Sequence, residues 1–530
     1  MKNEETLYIL EHIDADLIEQ ADEVPQKKSL RPYWFAAIAA LLVLAIGLPI
    51  LLGAIGNLSD PTGSGQMGNN PATDPVPSGS TATTQPESTP MTEPSAPTLP
   101  ATAPTAEQTQ PTVVVPLSIL LSKPSYPQMV TYPNYDDYSS YKEYDKDYSI
   151  WWDDQKQQYD QPYGYANSLT GFFRTSIAQF LQGEGNPTYS PVNVYMAMAM
   201  LAETAEGNSR RQILDLFGLE TIEQLRQQAS YVWNAHYSND GQTSLLLANS
   251  LWLDNAFSFK QTTADLLAER YYASSYSGAM GSEEMNQLLQ DWLNDNTGGL
   301  LQEQVKNEQF SADTVFALAS TVYFAASWER EFQKQLTKEA IFHSPEGDLI
   351  VPFMNDAFWD YYYWGENYTA VALSLSGRNS MWLILPDEGH TVSEILESDE
   401  YLQMIQHPSD WEKQEYYDIN LSLPKFDVAS QQDLTKGIKA MGVTDIFDRT
   451  VSDFSPITDT PLLYIAKASH AARVTIDETG CFGAAYTVLP GLGGAPGQPD
   501  KIDFVLDRPF LFVVGSRDCL PLFAGIVNEP

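Results

Sequence analysis

The chain has 530 residues, with 69 Asp and Glu against 29 Lys and Arg, and a formal net charge of −40 at pH 7. That balance excludes nucleic acid as a partner, because phosphate binding needs a basic surface. Two cysteines, Cys481 and Cys519, exclude a disulfide framework and have no metal-ligand spacing, and the six histidines are scattered, so neither a metal nor a cofactor is expected.

Residues 1–32 form a polar, mostly acidic tail in which Leu10, Ile13, Leu17 and Ala21 recur at helical spacing. Tyr33 to Ile55 then runs without a charge, opening on Tyr-Trp-Phe, which predicts a single transmembrane helix over 33–56 with aromatics at one interface. Lys27, Lys28 and Arg31 precede it and the next basic residue is Lys123. The positive-inside rule therefore places the N-terminus in the cytoplasm and the remainder outside, as a single-pass protein of the cell membrane. A cleaved signal peptide is the competing reading, but the apolar run is too long for its core and the preceding segment too long and acidic for its start. Residues 57–112 are rich in Pro, Thr, Ser, Ala and Gly without an aromatic or basic residue, a composition that predicts a disordered spacer reaching about 170 Å when extended.

Residues 113–164 change character. Tyr132, Tyr135, Tyr138, Tyr141 and Tyr144 fall three apart among acids, followed by Trp151 and Trp152. This period predicts an extended arm rather than a helix, either packed on the neighbouring domain or offering a sticky surface. From 165 to 530 the pattern is globular. Ser190-Pro191 reads as an N-cap with proline in the first turn, Val194, Ala197, Met198, Leu201 and Ala205 share a face, and Gly207 is expected to end that helix. Strands are predicted at Leu245 to Leu253, Thr314 to Phe324, Met381 to Leu385 and Ile419 to Leu423, and helices at Thr262 to Tyr272, Glu284 to Asn294 and Asp433 to Met441. Mixed elements without strict alternation imply an α+β domain with large sheets.

One stretch organises the rest. Between predicted strands at Arg473 to Ile476 and Phe504 to Val514 lies a connection of over twenty residues, a length that is normally functional or disordered. In its first half Cys481, Gly483, Ala485 and Thr487 are small, while Phe482 and Tyr486 are large and of the other parity, as a strand with one face against a core requires. Its second half, Pro490 to Pro499, is glycine, alanine and proline apart from Leu492 and Gln498. The Gly491-Leu-Gly-Gly-Ala-Pro-Gly run lacks dinucleotide-loop spacing, and neither a G-x-S-x-G elbow nor a histidine pair for zinc occurs, so an enzyme is not expected.

Several blocks, in order, resemble the serpin family: Asn186-Pro-Thr-Tyr-Ser-Pro-Val-Asn-Val-Tyr, Leu247-Ala-Asn-Ser-Leu-Trp-Leu, Leu318-Ala-Ser-Thr-Val-Tyr-Phe-Ala-Ala-Ser-Trp, Leu423-Pro-Lys-Phe, Ser469-His-Ala-Ala-Arg-Val-Thr-Ile-Asp-Glu-Thr-Gly, and Arg508-Pro-Phe-Leu-Phe. The resemblance covers about Tyr165 to Pro530. It implies a serpin fold, about nine helices around three β-sheets with an exposed reactive-centre loop, and a monomer. It also implies a suicide inhibitor whose cut loop inserts into the main sheet and traps the acyl-enzyme. Carried over by position, Glu478 anchors the strand before the loop, Gly480, Cys481, Phe482, Gly483, Ala484 and Ala485 form the hinge, and Gly494-Ala495 is the scissile bond, with Gly493 as an alternate.

Trp328 and His470 match positions near the top of the main sheet where insertion begins. Phe482 and Gly483 depart from the family, where an acidic residue and an alanine are usual. Cys481 is expected as a small inward residue and Cys519 as core in a closing strand. The small residues around the cut, with no basic residue from Gly480 to Asp500, fit an elastase-like or subtilisin-like serine protease as target. A papain-like cysteine protease reading Leu492 is the other choice. A non-inhibitory serpin-fold module that binds or senses at the cell surface remains the alternative.

Overall fold

The computed structural model describes residues 119–306, 308–465, 468–481 and 500–530. The expected acidic tail, transmembrane helix and spacer lie outside the described residues, and among the described ones no helix is long and apolar enough to cross a membrane. Seventeen strands are present: β1 Leu120–Ser122, β2 Thr188–Tyr189, β3 Ser238–Asn239, β4 Thr243–Asp254, β5 Ala273–Gly278, β6 Phe316–Ser327, β7 Lys338–Ser344, β8 Gly347–Trp364, β9 Tyr368–Leu375, β10 Asn379–Pro386, β11 Gln414–Pro424, β12 Phe426–Asp433, β13 Ser469–Ile476, β14 Gly480–Cys481, β15 Lys501–Val505, β16 Phe510–Gly515 and β17 Pro521–Val527. The helices are α1 Tyr141–Tyr159, α2 Thr170–Phe180, α3 Pro191–Thr204, α4 Gly207–Leu216, α5 Ile222–His236, α6 Gln261–Tyr271, α7 Glu283–Asp295, α8 Gln302–Val305, α9 Val392–Glu397, α10 Glu400–Gln406 and α11 Thr435–Ala440.

The main sheet runs β1-β5-β4-β6-β14-β13-β12, with β3 paired to β4. A second sheet runs β15-β11-β8-β9-β10-β16-β17-β2, with β7 paired to β8. Two sheets rather than the expected three are present among the described residues, because the 18-residue β8 pairs in turn with β7, β11 and β9 and so fuses what would otherwise be separate ladders. Eleven helices rather than about nine appear there, since the arm contributes one and several connections close single turns.

Helix α3 forms as the sequence predicts. Ser190 is extended and its Oγ accepts from the Asn193 N–H, with Pro191 in the first turn. All but one of its residues are buried, so it has no polar face and lies against both β6 and β17. It stops at Thr204, earlier than expected, where Ala205 turns extended. Gly207 opens α4 instead, with φ +56, a conformation a side chain resists.

The arm is the largest departure. Its middle is helical, not extended: Ser140 caps α1 by accepting from the Glu143 N–H, and Tyr144, Tyr148, Trp151 and Gln155 fall on one face at i, i+4, i+7 and i+11. Trp151 and Gln155 are buried. The Trp151 Nε1–H donates to Asp240 Oδ2 at 3.0 Å, and the Val130 N–H to Asp154 Oδ2 at 2.9 Å. Tyr126 stacks on Tyr237 and Tyr272, and β1 adds an antiparallel edge to β5. These contacts pack the described part of the arm against the helices and strands that follow it.

Candidate functional site

The seat of the expected hinge is the two-residue strand β14. Cys481 pairs with Ile476 of β13 and with Ala326 of β6, and Gly480 pairs with Ser327. Among the described residues β6 and β13 share no ladder of their own; β14 stands between them like the tip of a wedge. A Cβ on Gly480 would lie 2.4 Å from the Ala326 carbonyl oxygen and 2.8 Å from the Ser327 Cα, so the close backbone approach demands glycine. Cys481 is wholly buried. Burial and then the Asp477 charge push its thiol up, which keeps it a protonated, inert filler, as expected of an inward residue.

The turn before β14 is fastened on every side. Asp477 Oδ1 accepts from the Thr479 N–H and hydroxyl at 2.8 and 2.5 Å and from the Gly480 N–H at 3.3 Å, a local turn built by an aspartate. Trp328, next after β6, donates its Nε1–H to the Asp477 carbonyl at 2.8 Å and its N–H to the Thr479 carbonyl at 3.1 Å. Its backbone also bridges to Leu375, tying this end of the main sheet to the second sheet. The Ser327 N–H donates to Ser376 Oγ at 3.2 Å, which is itself within 2.9 Å of Thr243 Oγ1.

Glu478 is nearly buried and held at three points. Lys425 Nζ donates to Oε2 at 2.9 Å, the Thr337 hydroxyl to Oε1 at 2.8 Å, and the Phe332 N–H to the Glu478 carbonyl at 2.9 Å. Burial alone would raise its pKa, but the hydrogen bonds from Lys425, its own backbone N–H and Thr337 outweigh it and hold the carboxyl below its usual range. Glu478, expected to anchor the strand before the loop, is thus fixed in the turn between β13 and β14. Its partners Lys425 and Thr337 were not singled out from sequence; Lys425 sits inside the Leu423-Pro-Lys-Phe block, the only signal it gave.

Trp328 thus lies beside the hinge, whereas His470 does not. It occupies the far end of β13, six residues from Ile476, about 20 Å away at ~3.3 Å per residue. There its Nε2 accepts from the Ser190 N–H at 3.0 Å, its ring meets Tyr189 edge-on, and burial lowers its pKa to about 4, so it is neutral. Asn193 Nδ2 donates to the Ser320 carbonyl of β6 at 3.0 Å. Helix α3 therefore touches β13 through Ser190 and β6 through Asn193, the two strands that β14 separates higher up. Cys519 is half-buried at φ +59 in the turn between β16 and β17 rather than in a strand, because that tight hairpin needs a left-handed residue there. Phe482, Gly483, Ala484, Ala485, Gly493, Gly494 and Ala495 lie outside the described residues. Among the described residues no group of His, Cys, Asp and Glu could hold a metal ion.

The sequence profile of the family described as "Serpin (serine protease inhibitor)" matches residues 171–530. The chain is 27% identical to alpha-1-antiproteinase 2 of Equus caballus over 374 residues, covering 68% of this chain and 85% of that one. It is 25% identical to serpin-ZX of Arabidopsis thaliana, covering 67% and 94%. Among solved structures, the native state of the thermophilic serpin tengpin shares the fold at a TM-score of 0.62 and 24% identity, over 70% of this chain and 95% of that one. The latent state of the same protein gives 0.59 and 22%, over 69% and 98%. With a parted main sheet, a glycine that only a backbone can approach, and a profile spanning the whole body from α2 to the C-terminus, the chain belongs to the serpin family of serine protease inhibitors.

Proposed function

We propose that the protein is a membrane-tethered, extracellular suicide inhibitor that traps its protease by inserting the cut loop into the main sheet. The observation that carries the reading is the wedge: Gly480 and Cys481 already pair with β6 on one side and β13 on the other. Continued insertion of about a dozen residues, at ~0.5–1.5 kcal/mol per backbone hydrogen bond, would release on the order of 10 kcal/mol. That matches the whole stability of an ordinary domain and suffices to displace a bound protease. The cut falls at Gly494-Ala495, or one residue earlier after Gly493, and the small residues there favour an elastase-like or subtilisin-like serine protease, with a papain-like cysteine protease as the lesser choice. The protein is consumed rather than turning over, so it is not an enzyme, and it acts as a monomer.

The tether is residues 33–56, with the N-terminus cytoplasmic and residues 57–112 as the spacer; the uncharged run and the basic residues before it support this. Incubation with one elastase-type and one subtilisin-type protease should give a covalent complex that survives SDS, and mass spectrometry should place the cut between 493 and 495. The nicked protein should melt well above the intact one. Cleavage with neither a complex nor a gain in melting temperature overturns the inhibitor reading in favour of a binding or sensing module. Release of the intact chain from membranes by alkaline carbonate overturns the tether.

A further inference from the structure

The arm meets the body at the corner that seats the hinge. Asp240, buried in the turn between β3 and β4, is gripped by the arm twice: its carbonyl accepts from the Tyr132 N–H at 2.7 Å and its Oδ2 from the Trp151 indole at 3.0 Å. Its other oxygen, Oδ1, accepts from the Gln242 and Thr243 N–H groups at 3.0 and 2.9 Å. One carboxylate thus holds both the arm and the first residue of β4. From Thr243 the line continues: its hydroxyl lies 2.9 Å from Ser376 Oγ, which accepts from the Ser327 N–H at 3.2 Å and donates to the Gln242 carbonyl at 3.2 Å. Thr243 sits opposite Ala326 of β6, and Ala326 and Ser327 are the residues that pair with Cys481 and Gly480.

A second contact reaches the same corner. The Arg378 guanidinium, two residues after Ser376, lies over the Trp152 ring at 5.1 Å. Its charge also offsets part of the burial that pushes the Glu329 carboxyl up, two residues past Ser327. Neighbouring tryptophans of the arm therefore press on two turns, 240–242 and 376–378, and both turns bear on the end of β6. There is no slack at that end, since a Cβ on Gly480 would already meet the Ala326 carbonyl oxygen at 2.4 Å. Close-packed interiors pass small displacements on rather than absorb them, and linked hydrogen bonds stiffen one another.

We propose that the arm is a clasp on the hinge seat: with Trp151 and Trp152 docked, β6 is held at the spacing that grips Gly480 and Cys481, and drawing the arm away loosens that grip. The arm precedes the residues that the family profile matches, 171–530, so the control comes from outside the shared body. It acts on the two residues of β14 and holds whether or not the chain inhibits a protease. Coupling of this kind is reciprocal: whatever loosens the seat loosens the arm to the same degree.

The test uses the full chain with Cys519→Ser, which leaves Cys481 as its one thiol, and follows the reaction of that thiol with a disulfide reagent in the absence of denaturant. Trp151→Phe with Trp152→Ala, which keeps a ring in the buried position, should accelerate the reaction about fivefold or more. Thr243→Val leaves both tryptophans and removes one hydroxyl of the line; it should accelerate the reaction too. All three changes together should give less than the product of the two effects, because they act through one line. Ile438→Val, a core change in α11 of comparable cost to stability, is the control and should stay within twofold. Conversely, Gly480→Ala should speed hydrogen exchange of the α1 amides severalfold. A rate within twofold of the parent in the tryptophan variant or in Thr243→Val overturns the proposal, as does an equal acceleration by Ile438→Val, which would mean general loosening. Unaltered α1 exchange in Gly480→Ala overturns it as well, since linkage allows no one-way coupling. No protease enters the test, so its failure leaves the inhibitor reading standing, and failure of that reading leaves the clasp.

Discussion

The Trp328 indole N–H donates to the Asp477 carbonyl at 2.8 Å, so one side chain from the end of β6 grips the turn from which the hinge departs. Trp328→Phe keeps a ring in the site and removes the donor. A neutral buried hydrogen bond contributes ~0.5–1.5 kcal/mol, so the intact protein should lose about 1 kcal/mol in chemical denaturation. An unchanged midpoint and slope would mean that the indole N–H does not hold the turn.

Gly480 admits no side chain, because a Cβ would meet the Ala326 carbonyl oxygen at 2.4 Å. Gly480→Ala should push β14 out of its seat at a cost of about 1–3 kcal/mol. The neighbouring thiol reports this directly. In a Cys519→Ser background, Cys481 is buried and should react slowly with a disulfide reagent, and Gly480→Ala should accelerate that reaction severalfold. Equal rates would show that the wedge tolerates the methyl group.

His470 and Glu478 give a pH dependence whose sign is defined. His470 is held neutral with its pKa lowered from 6.5 to about 4, so the unfolded chain binds the proton more readily. Its contribution is complete above pH 6.5 and lost as pH falls toward 4, by about 3 kcal/mol at 1.36 kcal/mol per unit. Glu478 is held below its usual 4.5, so its contribution is present above that value and lost as pH falls through its lowered one. Denaturation midpoints check this: Glu478 falls below the window from pH 7 to 5, which His470 shares with His236, a second histidine lowered by burial; His470→Gln should reduce the slope there without abolishing it, and an unaltered slope would assign it elsewhere.

Trp151 anchors the arm by its Nε1–H to Asp240 and by its buried ring. Trp151→Ala should cost about 3–5 kcal/mol, as large aromatic deletions in cores do. A chain beginning at residue 165, lacking α1 and β1, should fall in stability by at least as much. Equal midpoints with and without the arm would make it an appendage.

Much of the body was legible from residue patterns. Ser190-Pro191 announced α3 because capping is local chemistry; of the expected hinge, Gly480 and Cys481 pair in the sheet, and the alternation beyond Cys481 lies outside the described residues. The arm was misread because a run of tyrosines three apart outweighed the stripe from Tyr144 to Gln155, whose 3.6-residue period decides helicity once it meets the wall around Asp240. His470 was placed at the wrong end of β13, since a linear motif gives neighbours in sequence and not height along a strand. Lys425 and Thr337 reach Glu478 from 53 and 141 residues away, a meeting only the folded sheet arranges.

The orientation of β14 carries a thermodynamic preference of its own. It runs antiparallel to β6 and antiparallel to β13, which makes those two strands parallel to one another. Zipped directly together they would form the slightly weaker of the two kinds of ladder; a third strand continuing from Cys481 would replace one such seam by two of the stronger kind. Two residues so aimed would give the proposed insertion its sense, with backbone geometry, indifferent to which side chains ride on it, supplying the bias toward closure.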